Sequence, residues 1–95
     1  MATIITTAGK TIALDDLSLA ALQKAVGGYI EAVRTHDDCL MYINENGKVE
    51  DLPLNLKAST LYRYGRRDPI AGDVVVLTME ETAQMMEDSC DEDLD

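Results

Sequence analysis

From Asn55 to Thr78 the chain reads N-L-K-A-S-T-L-Y-R-Y-G-R-R-D-P-I-A-G-D-V-V-V-L-T. The end of this stretch, Gly72-Asp73-Val74-Val75-Val76-Leu77, decides the fold. A short β-branched run reads as a strand buried on both faces, or as the middle of a small barrel. At a sheet edge it would template aggregation, so it belongs in the centre or under cover. The middle of the stretch is different. Arg63, Arg66 and Arg67, three of the chain's four arginines, stand beside Tyr62, Tyr64 and Asp68 in a segment punctuated by Gly65 and Pro69. A cationic loop thus leads directly into the expected central strand. Before it, Asn55 is placed to cap a short helix through Tyr62, which Gly65 ends.

Working outward, Thr3 to Thr7 and Thr11 to Leu14 are β-branched and apolar, with Gly9-Lys10 between them. This predicts a hairpin closed by a two-residue turn. Asp15-Asp16 supplies an N-cap with charge suited to a helix start. Leu19, Leu22 and Val26 share one helical face, and Gly27-Gly28 stops the helix. Strands are predicted over Tyr29 to Val33 and Cys39 to Ile43, separated by the polar loop Thr35 to Asp38. Asn46-Gly47 is a strong hairpin signal and predicts that Val49 and its neighbours pair back. Pro53 has no amide hydrogen and breaks regularity. Thr78-Met79-Glu80-Glu81 has the capping-box form and opens a helix through Met86. The order is β-β-α-β-β-β-short α-β-α. It predicts an α+β domain, a small antiparallel sheet or partly open barrel with one packed helix. Residues 1–79 form the body, and 80–95 an acidic helix and tail.

Composition narrows the function. The chain has 95 residues, enough for one domain, and no Phe or Trp, so its core must be aliphatic. The net charge is −10, unevenly spread: residues 80–95 carry eight acids and no base, while 1–79 hold ten acids and all eight bases. Such a balance disfavours direct binding to nucleic acid or to an anionic membrane. No apolar run approaches the roughly 18 residues that span a bilayer, and no basic, apolar leader opens the chain. Cys39 and Cys90 lack metal or redox spacing, so a reduced, cytoplasmic setting is expected.

The candidate chemistries differ in strength. His36 and Cys39 are the only thiol and imidazole close in sequence, but Cys39 opens an apolar strand, where cysteines act as small hydrophobes. His36, Asp37 and Asp38 lack the alternating oxygen ligands of a calcium loop. Gly27-Gly28 follows a helix and precedes a strand, the reverse of a phosphate-binding loop. Glu31 has no carboxylate partner at defined spacing. The arginine group is the strongest candidate. Guanidinium forks suit phosphate or carboxylate, and Tyr62 and Tyr64 flank Arg63, where an aromatic ring can stack on a base. The bland alternatives are internal pairing with Asp68, Asp73 or the acidic tail, or a solvated turn.

Several pieces combine into a resemblance. Val26-Gly27-Gly28-Tyr29-Ile30-Glu31 is followed by Asn44-Glu45-x-Gly47-Lys48, then by Leu52-Pro53-Leu54-Asn55-x-x-Ala58 and Asp68-Pro69-Ile70-x-Gly72-Asp73-Val74-Val75. The pattern, over about residues 17–78, resembles a family of small domains catalogued as a domain of unknown function. Members are common in bacteriophages, mobile elements and their gut and actinobacterial hosts. The resemblance implies a phage-type protein of the host cytosol and carries over no catalytic residue.

Together these readings predict a non-enzymatic accessory binding protein without cofactor or metal. Tyr62, Arg63, Tyr64, Arg66, Arg67 and Asp68 form its site, and its partner is a host protein or a small nucleotide-like anion. A homodimer through a remaining edge strand is also considered. The alternative is an acidic DNA-mimic inhibitor of a host nucleic-acid-binding protein that acts through residues 80–95, with Met79, Met85 and Met86 as an adaptable docking face.

Overall fold

In the computed structural model, which describes residues 2–47 and 49–84, the chain runs β1 (Ala2–Ile5), β2 (Thr11–Leu14), α1 (Leu19–Val26), β3 (Ile30–Arg34), β4 (Leu40–Asn44), α2 (Leu56–Leu61) and β5 (Val74–Val76). A further helical segment, α3, starts at residue 79 and is described to residue 84. The strands form one open antiparallel sheet of order β2-β1-β5-β4-β3. The last described strand in sequence is therefore the middle one in space.

Two-residue periodicity divides the core. Ala2, Leu40, Val75 and Leu77 face α1 and pack with its Leu22 and Val26. Ile5, Met41 and Val74 face the opposite side and pack with Ala58 of α2 and with Ile70. Val74, Val75 and Met41 are fully buried, as expected of a strand covered on both faces and its neighbour. Burial of such an aliphatic side chain contributes about 1.5–3 kcal/mol, so the core holds without Phe or Trp.

Local signals explain most element ends. Gly27 takes φ 81°, and its amide and that of Gly28 both donate to the Gln23 carbonyl, closing α1 as expected. Thr78 and Glu81 form the reciprocal capping box, the Thr78 amide bonding Glu81 Oε1 at 2.9 Å and the Glu81 amide bonding Thr78 Oγ1 at 3.1 Å. One turn on, buried Thr82 accepts the Leu40 amide at 2.9 Å through Oγ1, which fixes α3 to β4.

Four expectations need correction. The β1–β2 loop is not a two-residue turn. Thr6 N–H bonds the Lys10 carbonyl, Gly9 N–H bonds the Thr6 carbonyl, and Gly9 sits at φ 86°, the pattern of a three-residue loop with a left-handed glycine. The cap of α1 is Ser18, whose Oγ accepts the Ala21 amide at 3.3 Å, rather than Asp15-Asp16. Asp16 instead accepts the Ser18 amide at 2.9 Å, and this bond pulls its carboxyl below the ordinary value. Such a depressed group favours the folded state above its unfolded pKa, and the effect is lost as pH falls through the folded pKa. No strand pairs back directly after Asn46-Gly47 among the described residues. Residues 45–47 and 49–51 are turns, and Val49 is 86% exposed. A Cβ on Gly47 would come 2.7 Å from the Ala71 carbonyl oxygen, so this glycine serves close approach of two backbones, not a hairpin. Gly65, finally, does not end α2. Tyr62 does, in extended conformation, and Gly65 is needed because a Cβ there would collide with the Ser59 carbonyl oxygen.

The second face hangs on Asn55, which is 1% exposed. Its Nδ2 donates to the carbonyls of Ile5 and Gly72 at 2.9 and 3.0 Å, and its Oδ1 accepts the Ala58 amide at 3.0 Å. Its own amide reaches the Ile70 carbonyl at 2.7 Å. Asn55→Leu leaves three buried polar groups without partners and is expected to cost about 2–4 kcal/mol in urea unfolding. An unchanged midpoint would refute this account of the layer.

Candidate functional site

The loop after α2 is held at both ends. Thr35, just past β3, bridges to Tyr62, the His36 amide bonds the Leu61 carbonyl, and the Arg63 amide bonds the Arg34 carbonyl at 3.1 Å. At the other end the Ile70 amide donates to Ser59 Oγ at 2.9 Å, while that hydroxyl donates to the Asn55 carbonyl at 2.8 Å. Between these ties the Tyr64 carbonyl accepts the amides of Arg67 and Asp68, which curls residues 64–68 into successive turns. The loop therefore folds back along α2 rather than extending into solvent.

Between them lies a groove of about 620 Å³. Leu54, Leu56, Tyr62, Tyr64 and Pro69 supply apolar lining; His36, Thr60, Arg63, Arg66 and Arg67 supply polar and cationic groups. The rings of Tyr62 and Tyr64 meet edge to face, with centroids 5.9 Å apart and planes at 84°. Tyr62 is half-buried against the core of this face, which leaves Tyr64, 58% exposed, as the accessible ring.

The arginines divide. Arg63 Nη2 bonds Asp38 Oδ1 at 2.9 Å, and Arg34 Nη1 lies 3.5 Å from the same oxygen while bonding the Asp38 carbonyl at 2.9 Å. Arg63 thus has a counter-charge from the β3–β4 loop, and that partner is neither Asp68 nor Asp73. Asp73 accepts the Thr7 amide at 2.9 Å instead. Arg66 and Arg67 are exposed, and neither side chain meets a carboxylate among the described residues. Five of the six residues expected at the site line this groove. Asp68 does not; it faces a smaller hollow with Glu31, Glu45 and Ile70.

Sequence reasoning missed Leu54, Leu56, Ser59, Thr60 and His36. One signal was present: Leu56, Ser59, Thr60 and Arg63 stand at i, i+3, i+4 and i+7, one face of the short helix prolonged into the loop. The remaining candidates separate. Cys39 is buried, with its Sγ 3.2 Å from Met79 Sδ, while His36 lies exposed at the groove. Met85, Met86, Cys90 and the acids from Glu87 on lie outside the described residues, and so does any pairing of the arginines with that part of the tail.

A family model described as a domain of unknown function (DUF3846) matches residues 1–94, and the chain belongs to that family. The match takes in the first hairpin and the acidic stretch, well beyond the segment on which the resemblance rested. No curated protein and no solved structure matches the chain.

The Arg34–Asp38–Arg63 cluster is exposed enough to be screened, so it should position Arg63 more than stabilise the fold. Asp38 sits at φ 66°, a conformation asparagine also tolerates. Asp38→Asn is expected to lower stability by no more than about 1 kcal/mol in urea unfolding, with the difference shrinking in high salt.

Proposed function

We propose that this member of the family is a non-enzymatic binding protein that captures a small nucleotide-like anion in the groove between α2 and the loop after it. The observation that carries the reading is the pairing of Arg66 and Arg67, with no carboxylate partner among the described residues, with the exposed ring of Tyr64 at one groove. A guanidinium offers a planar fork of donors to phosphate oxygens, and a tyrosine face offers a base a stacking surface. The groove's volume falls within the range of about 300–1,000 Å³ usual for small-molecule sites. Arg63, already bonded to Asp38, is the rigid wall of this site, and Arg66 and Arg67 are its anion contacts.

The resemblance noted from the sequence supports a phage-type accessory role in the host cytosol, in which capture of a nucleotide, or of a host factor presenting an equivalent anionic group, is the inhibitory act. The largely acidic chain disfavours extended nucleic acid as the partner, because a long polyanion would meet more repulsion than attraction.

Calorimetric titration with nucleoside mono-, di- and triphosphates tests the reading. Binding is expected to weaken at least about tenfold in the Arg66→Ala, Arg67→Ala double variant, as befits loss of charge-assisted hydrogen bonds. Tyr64→Ala should weaken it by roughly fivefold or more through lost stacking. Absence of binding to every nucleotide, together with unchanged capture of host proteins by the double variant, would sink it.

A further inference from the structure

The sheet has two edges, and they are not alike. The β3 edge is covered near its end, where Thr35 bridges to Tyr62 and the Arg34 carbonyl accepts the Arg63 amide. The β2 edge has no strand or bridge on its outer side among the described residues. Natural edges are usually blunted by shortness, charge, proline, a bulge or a cover. Thr11-Ile12-Ala13-Leu14 is short but carries no charge or proline, and its first three residues are exposed, Ile12 by half.

The ladder shows which amides are free to pair. Thr6 N–H bonds the Lys10 carbonyl, so that pair belongs to the hydrogen-bonded set, and the register continues through Ile5↔Thr11, Ile4↔Ile12 and Thr3↔Ala13. Alternation along an antiparallel pair then turns the N–H and C=O groups of Thr11 and Ala13 away from β1.

We propose that β2 is a self-pairing edge through which two copies of this chain form one continuous antiparallel sheet. A two-fold axis normal to the sheet keeps each residue on its own face, so only residues of equal parity can stand opposite one another. With the axis at Ala13, Thr11 stands opposite Asp15, Ile12 opposite Leu14, and Lys10 opposite Asp16. The outward amides coincide with the pairs that must bond. Ile12 and Leu14 lie on the α1 side, across from Ile4 and Ala2 of β1, and extend the apolar layer between the two copies. The base that precedes β2 meets an acid that follows it, twice. With the axis at Ile12 instead, Lys10 would face Leu14 and no opposite charges would meet, so charge complementarity selects the Ala13 register. The β2 edge lies across the sheet from β3, beside which the groove is built, so both grooves of the pair stay open. This inference is independent of what the groove binds.

Sedimentation velocity from about 1 to 200 µM is the test, a range suited to a small interface. The mass is expected to rise from that of the 10.4 kDa chain toward twice that value. Ala13→Lys, which places like charges at the axis on an exposed site, should stay monomeric with an unchanged circular dichroism spectrum. Lys10→Glu should weaken association about fivefold or more. As a separate readout, Ala13→Cys in a Cys90→Ser background should form a disulfide-linked dimer on mild oxidation, since residues in a hydrogen-bonded antiparallel pair have Cα atoms about 5.5 Å apart. Thr11→Cys in the same background should not. A wild-type chain that is monomeric throughout, or an Ala13→Lys chain that keeps the dimer mass, would overturn the proposal.

Discussion

One buried carboxamide joins three parts of the chain that are far apart in sequence. Asn55 holds the end of β1 through the Ile5 carbonyl, the approach to β5 through the Gly72 carbonyl, and the first turn of α2 through the Ala58 amide. Without it, two strand-end carbonyls and a helix amide would be buried with no partner, and α2 is too short to persist on its own. Asparagine is suited to the place because its side chain offers donors and an acceptor on one short, rigid group. Aspartate would lose the two donated bonds, and leucine would lose all three.

The sheet's connectivity explains why such a staple is needed. β5 enters between β1 and β4, strands formed far earlier in the chain. β1 and β4 cannot share a core until β5 arrives to fill the gap. The insertion places Val75 and Leu77 toward α1 and Val74 toward α2, so one strand completes both halves of the core. The polar ties at its two ends complement this packing. Asp73 Oδ1 takes the Thr7 amide on one side, and the Leu77 amide bonds the Leu40 carbonyl on the other. Register is thus specified both by apolar alternation and by hydrogen bonds that a one-residue slip would break.

The groove inherits its shape from the same staple. Asn55 starts α2, its carbonyl holds the Ser59 hydroxyl, and that hydroxyl holds the Ile70 amide, so loop and helix are bound to one another by a relay of short bonds. Gly65 permits the return, since only a residue without a side chain fits against the Ser59 carbonyl. The cations are sorted by geometry. Arg63, next to the bridge at Tyr62, is drawn to Asp38, while Arg66 and Arg67, farther along the loop, make no carboxylate pair among the described residues. A chain with a surplus of negative charge can still present a locally positive rim, because screening confines each interaction to about 10 Å.

Much of this was legible in the amino acids. The β-branched run of Val74 to Val76, the glycine that closes α1, the asparagine that opens α2 and the Thr78–Glu81 capping box are local features whose stereochemistry is complete within a few residues. They are found where their chemistry places them. The arginine and tyrosine cluster was legible for the same reason, being contiguous in the chain. What depends on residues distant in sequence was not. The order of strands, the pairing of Arg63 with Asp38, the contribution of His36 and Leu54 to the groove and the turns after Asn46-Gly47 follow from how the layers meet. At Gly47 and Gly65 the deciding force is the close approach of another backbone, to Ala71 and Ser59, so a glycine that reads as a hairpin signal or a helix stop is in fact a contact point. The sequence by itself determined most of the elements and the buried central strand, because propensity, capping and periodicity act locally. Only the tertiary structure decided which groups share the groove and which sheet edge has no neighbouring strand among the described residues, because both depend on long-range pairing.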